Sequence, residues 1–306
     1  MPNKGGSQEL LPVTKARERI LAGLSPGQAD ICHLADSMGR VLASDVAARL
    51  SLPGEPVSAM DGYAARAADC GAVGTTLTRI GESAAGRPWT GTLGAGQAVR
   101  IFTGAVIPDD ADCIILQEDV DASAEEDGAS VSIREVPRAG RFIRPAGLDV
   151  TAGDIILAAG TVMSARLIAL ATSAGHTHVS LWPRPHVGVL STGDELVTPG
   201  ETPGRGQIVS SNATYLSAFV RACGGVAVDL GIARDRPGAM LEQVRSAPLP
   251  LDLIVTTGGA SVGVHDHVVE DLSSSGTELG FWKIAMRPGK PLILSLIHIS
   301  EPTRPY

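Results

Sequence analysis

Aromatic side chains are nearly missing from this sequence: 3 Trp, 3 Tyr and 4 Phe amount to 3 % of 306 residues. The interior must therefore be built from Ala, Val, Leu and Ile. The 44 % hydrophobic content supplies them and excludes global disorder. Cysteine is scarce too. Cys32, Cys70, Cys113 and Cys223 stand far apart without a C-x-x-C pair. That excludes a disulfide frame or a zinc-type spacing and fits a reducing compartment. No stretch approaches the length of apolar residues a membrane span needs, and MPNKGGSQELLP has no apolar signal core, so the chain reads as cytoplasmic, with no membrane partner. Positive charge is also short. A net charge of −8 argues against nucleic-acid binding, because phosphate contacts need a basic surface. An anionic ligand would have to be caught by local donors.

What the chain has in quantity is punctuation, 36 Gly and 20 Pro. Residues 8–24 have helical spacing, and GRVLASDV from Gly39 reads as a short strand. SLPGEPVSAMDGYA, residues 51–64, reads as a linker into a new unit. From about Thr75 to Val136 the runs TLTRIG, AVRIFTGA, ADCIILQEDV and ASVSIREV form short β-like segments, which predicts a compact, mostly β insertion. A helix is expected after Ser164, with Leu167, Ile168 and Ala171 on one face and Gly175 as its stop. Beyond Pro185 the pattern alternates regularly. HVGVLST, VAVDLGI, LDLIVTT and FWKIAM read as strands. Helices are expected after Ser211, in PGAMLEQVRSA and in DHVVEDLSSS. Such alternation predicts β-α-β units and a doubly wound parallel sheet, hence a multidomain α/β protein. The end, SLIHISEPTRPY, breaks the pattern; it resembles translated adapter read-through and is expected to be non-native.

Ligands bind at the carboxyl ends of parallel strands. Three such ends are polar here: Ser191-Thr192-Gly193-Asp194-Glu195, Arg234-Asp235, and TTGGASVGVHD from Thr256 to Asp266. Glu195, Asp235 and Asp266 would converge on one crevice, a carboxylate set that suits Mg²⁺. Each aspartate alone could equally cap the following helix. Lys283, Arg287 and Lys290 in FWKIAMRPGKP make a candidate anion trap, or a solvated basic loop. Gly259-Ala260-Ser261-Val262-Gly263 matches a nucleophile elbow, but no histidine follows at a usable separation: His265 and His267 are too close, and His298 is in the suspect tail. A phosphate cradle is the better reading, with Gly258, Gly259 and Gly263 giving backbone N–H groups access to an anion. Without G-K-[ST] it is not a Walker loop. Asp61 in SAMDGYA and Thr103 in RIFTGAVIP are polar residues beside glycine at the edges of β-like segments. Taken alone, they are ordinary turn residues.

Together, and in this order, SAMDGYA, RIFTGAVIP, RPAGLDV, LSTGDEL, TTGGASVGVHD and FWKIAMRPGKP resemble the molybdopterin molybdenumtransferase family, MoeA, which includes the gephyrin E domain. The likeness runs from about Leu11 to Leu294. It implies a split α+β first domain over residues 8–52 and 146–181, an inserted mostly β domain over 53–145, and a molybdopterin-binding α/β domain over 182–294. A C-terminal β domain typical of the family is not among these residues, so a poorly active chain is expected. The implied reaction takes adenylylated molybdopterin and molybdate to molybdenum cofactor and AMP with Mg²⁺ or a similar divalent ion. Molybdopterin adenylyltransferase acts upstream. By motif position, Glu195, Asp235 and Asp266 would hold the metal and line the crevice, and Lys283 and Lys290 would hold phosphate or molybdate. Asp266 and Ser261 sit with the Gly-rich loop facing the pterin nucleotide. Asp61, Thr103, Arg144 and Asp149 match motif positions of the first two domains, and in the implied homodimer Asp61 and Thr103 would act in trans. Arg287 stands where a lysine is common. Two other functions stay open on the residues: an adenylyl-transferring or pyrophosphate-cleaving relative sharing the α/β domain, and a non-catalytic scaffold module.

Overall fold

The structure is a computed structural model describing residues 10–258, 271 and 278–296. It forms two compact units, one from Ile31 to Leu181 and one joining the N-terminal segment through Asp30 to the chain from Trp182 onward. The α-helices bounded by described residues are α1 (Val13–Ala22), α2 (Ala165–Ser173), α3 (Ser211–Ala222) and α4 (Ala239–Arg245).

The centre of the first unit is a six-stranded sheet. Its spatial order is Cys113–Leu116, Gly62–Ala65, Gln97–Ile101, Thr76–Ser83, Ser130–Ile133, Val120–Ala122. Strand periodicity sends alternate residues to opposite faces. Tyr63, Ala65, Cys113 and Ile115 enter one core, while Ala64 and Ile114 enter another with Ile101, Ala105 and Ile107. Gly62–Ala65, expected from sequence to belong to a linker, is thus a fully buried inner strand. Its glycine serves close packing: a Cβ on Gly62 would stand 1.9 Å from the carbonyl oxygen of Ile115. The chain before and after this sheet meets in two-stranded pairs: Asp30–His33 with His178–Leu181, Val46–Ala47 with Ile155–Leu157, and Val57–Ser58 with Ile143–Arg144. Over the first two of these pairs α2 packs Ala171, with Leu167 and Ile168, against Leu42, Leu157, Met163 and Leu181, so the helical face expected from spacing is the one used.

The second unit holds a parallel sheet of β1 (His186–Thr192), β2 (Val226–Ala233) and β3 (Leu253–Thr257), in the order β2-β1-β3. Leu190, Val228, Leu230, Ala239 and Met240 form its core. The chain leaves β1 through α3 toward β2, then returns through α4 to β3 on the other side of β1. The carboxyl ends of β1 and β3 therefore flank a reversal of strand order, where open α/β sheets leave a crevice.

Two expectations are corrected in this unit. The FWKIAM run does not extend the parallel sheet. Glu278–Trp282 pairs antiparallel with Ile293–Leu296, because the Pro288-Gly289 turn folds the chain straight back. Helix α1, assigned by resemblance to the split first domain, instead packs Ala16 and Ile20 on Phe281, Ile284 and Leu294. Its lead-in is fastened by the Ala285 N–H donating to the Leu11 carbonyl at 2.8 Å.

Candidate functional site

At the reversal, β1 ends in Thr192, whose hydroxyl donates to the Thr257 carbonyl at 3.3 Å. Gly258 follows β3 at φ +87°, and a Cβ there would lie 2.5 Å from the Thr192 carbonyl oxygen. Gly193 has φ +141°, with the Glu195 carboxylate folded over the place its Cβ would take, 2.2 Å away. At both points the crevice wall is so closely packed that there is no room for a Cβ. The next residues bind loop to loop. The Asp194 N–H donates to the Asp235 carboxylate and the Asp235 N–H to that of Asp194, each at 3.3 Å. The Arg234 guanidinium donates to the carbonyls of Asp194 at 3.3 Å and Leu196 at 3.2 Å. Asp194, not Glu195, is thus the carboxylate tied to Asp235.

Behind this wall lies a hydroxyl network. Ser191 and Ser210, both buried, share a hydrogen bond of 2.9 Å, and the Thr257 hydroxyl donates to Ser191 at 3.4 Å. Ser210 occupies the N-cap of α3 but does not cap it, since its hydroxyl faces Ser191. Sequence reasoning missed Ser210 and the role of Arg234. The available signal was a serine and threonines interrupting otherwise apolar strand ends. Among the described residues no three His, Cys, Asp or Glu close on one point as a cage would. Exposed hard-oxygen donors on neighbouring strand ends, Glu195 and Asp235, still fit Mg²⁺, which takes one or two carboxylates and completes its shell with water and phosphate. Gly259, Ser261, Gly263 and Asp266 lie outside the described residues.

Lys283, Arg287 and Lys290 share the turn between Glu278–Trp282 and Ile293–Leu296. The Lys283 N–H donates to the Leu292 carbonyl at 3.1 Å and the Ile284 N–H to that of Lys290 at 2.9 Å. The closed turn gathers three cations on one short segment, with Arg287 and Lys290 exposed.

A second cluster belongs to the other unit. Asp61 Oδ1 accepts from both the N–H and the hydroxyl of Thr103, each at 2.7 Å. These two bonds, the hydroxyl's first, hold the Asp61 carboxyl below the usual aspartate range; the Arg100 charge assists and partial burial opposes. Arg144 pairs with Asp149 at 2.9 Å. Backbone pairing brings the two pairs onto adjacent segments, because Val57–Ser58 bonds Ile143–Arg144 on one side and Ala105 on the other. Arg100 and Gln117, beside Asp61, were not singled out from sequence. Arg100 reads there as the polar member of an alternating strand.

A family model described as the MoeA N-terminal region (domain I and II) matches residues 11–175, and one described as a probable molybdopterin binding domain matches 188–303. A Haemophilus influenzae protein named molybdopterin molybdenumtransferase is 36 % identical over 283 residues, 92 % of this chain and 69 % of that protein. One from Nostoc sp. with the same name is 37 % identical over 270 residues, 87 % of this chain and 61 % of its own length. The crystal structure of a molybdopterin biosynthesis MoeA protein from Pyrococcus horikosii matches with a TM-score of 0.83 at 29 % identity, covering 95 % of this chain and 73 % of that one. This chain therefore spans only part of the length of each of these relatives, down to 61 %.

Proposed function

Since this chain belongs to the molybdopterin molybdenumtransferase (MoeA) family of molybdenum cofactor biosynthesis, we propose that it inserts molybdenum from molybdate into adenylylated molybdopterin with release of AMP. The observation that carries this reading is the reversal of strand order at the ends of β1 and β3, where Gly258 packs directly on Thr192, with the interlocked Asp194 and Asp235 loops beside it at the ends of β1 and β2. A phosphoanhydride could approach the main chain there without meeting a Cβ. Glu195, Asp235 and Asp266 would hold Mg²⁺ or a similar divalent cation, which when bound supplies charge neutralisation at the phosphates. Lys283, Arg287 and Lys290 offset the charge of molybdate or phosphate. Arg287 offers a planar fork where the family commonly has the point charge of lysine. Thr192, Gly193 and Asp194 shape the pocket floor. No protein nucleophile is required, because the dithiolene sulfurs of the substrate take up molybdenum as AMP leaves.

The protein acts as a cytoplasmic homodimer downstream of molybdopterin adenylyltransferase, with Asp61, Thr103, Arg144 and Asp149 of one subunit serving the partner's crevice. Molybdate-dependent AMP release by the purified chain tests the reading. Asp266→Asn is expected to abolish release while leaving the unfolding midpoint in place, and Ser261→Ala to change it less than about tenfold. Full release from Asp266→Asn overturns the assignment. Complete loss with Ser261→Ala turns it toward a serine nucleophile.

A further inference from the structure

The segment from Arg100 to Thr103 does more than supply the donors for Asp61. Register places Arg100 directly opposite Tyr63. Its guanidinium lies over the Tyr63 ring, 5.2 Å from the centroid, and over the Phe102 ring at 4.7 Å. A chain with only 3 Tyr and 4 Phe thus commits two rings to one cation. So held, Arg100 donates through one nitrogen to the Gly62 carbonyl at 2.9 Å and through the other to Gln117 Oε1 at 2.7 Å. The Gln117 N–H in turn donates to the Asp61 carbonyl at 3.2 Å. Two successive carbonyls, Asp61 and Gly62, therefore end on the Arg100–Gln117 pair. Both Thr103 bonds fall on Asp61 Oδ1, and among the described hydrogen bonds none falls on Oδ2.

We propose that Arg100 is a positioning residue for Asp61. It fixes the backbone on which Asp61 stands and sets a cation beside its carboxylate, so that Oδ2 is presented ionised and in one orientation. This rests on Asp61 serving the reaction proposed above. The fork is what allows one side chain to bond a carbonyl and an amide while stacked on rings, which an ammonium cannot match. Other charges around Asp61 come from Glu118 and Asp119 on the 117–119 turn, and from the Arg144–Asp149 pair on the adjoining segment. Of the charged groups on these segments, Arg100 is the one that acts on the Asp61 carboxyl, lowering its pKa.

The test follows the ¹³C carboxyl titration of Asp61 in the full chain, identified by its loss in Asp61→Asn, in wild type, Arg100→Met and Arg100→Lys. Unfolding midpoints establish that each variant is folded. Arg100→Met is expected to raise the Asp61 midpoint, the two Thr103 bonds still holding it below the usual aspartate range. Arg100→Lys should recover part of the shift, since it restores charge without the fork. An Asp61 midpoint unmoved in folded Arg100→Met overturns the proposal, as does full recovery with lysine for the role of the fork. The acid limb of AMP release should move upward with the titration. A titration that moves while the limb stays fixed tells instead against the part of Asp61 in the reaction; the carboxyl titration still decides for Arg100.

Discussion

Gly258 has φ +87°, and a Cβ would find the Thr192 carbonyl oxygen 2.5 Å and its hydroxyl 2.7 Å away. Gly86 has a similar φ of +75° but open space around it. The pair separates two costs of replacing glycine. Gly86→Ala meets only the left-handed penalty, about 1 kcal/mol. Gly258→Ala adds a clash with backbone that cannot rotate away, so a loss of about 2–4 kcal/mol is expected, together with loss of pterin-nucleotide affinity. Urea unfolding of both variants reads the difference, and equal losses would show that β1 and β3 do not enforce the approach. The special backbone of Gly258 was legible because glycine after an apolar run carries local information. The Asp194–Asp235 interlock was not legible, because it joins loops far apart in sequence and depends on β1 and β2 being neighbours.

Elements were read best where periodicity was long. HVGVLST, VAVDLGI and LDLIVTT became β1, β2 and β3; β1, the central strand, is buried almost throughout, while β2 and β3 at the sides are only partly covered. Gly62–Ala65 was misread because GYAA is too short for periodicity, and a glycine that permits close strand packing looks in sequence like one that permits a turn. Helix α1 was read as a helix, but the side chains that cover it were not legible. Its stripe states that something apolar covers it, not what. Ala16 is 2 % exposed against Phe281 and Ile284. Ala16→Asp places a carboxylate among those side chains and is expected to cost about 3 kcal/mol. Denaturant unfolding followed by tryptophan fluorescence checks this, and a change under 0.5 kcal/mol, the size of an ordinary surface substitution, would place α1 elsewhere.

The two units differ in how the chain builds them. One is continuous, Ile31 to Leu181, and its ends meet where Asp30–His33 pairs with His178–Leu181. Its three apolar clusters are drawn entirely from its own residues. A fragment of residues 31–181 is therefore expected to fold alone, with a single cooperative thermal transition and dispersed amide resonances. A fragment without a transition would show that its cores depend on the rest of the chain. The other unit is discontinuous, needing α1 to cover Phe281 and Ile284, so no contiguous fragment contains it. Among the described residues no helix is long and apolar enough to cross a membrane.

Composition, alternation and glycine placement by themselves determined an aliphatic α/β protein, its parallel-strand segments and their polar ends. These are local properties, written within a few residues of where they act. Tertiary structure alone decided that β2 and β3 flank β1, that Asp194 faces Asp235, that Arg100 stands beside Asp61, and that α1 closes over Phe281. Each joins segments distant along the chain. An apolar stripe or a strand edge fixes only that it must be covered, and the partner follows from how every other element is satisfied at once.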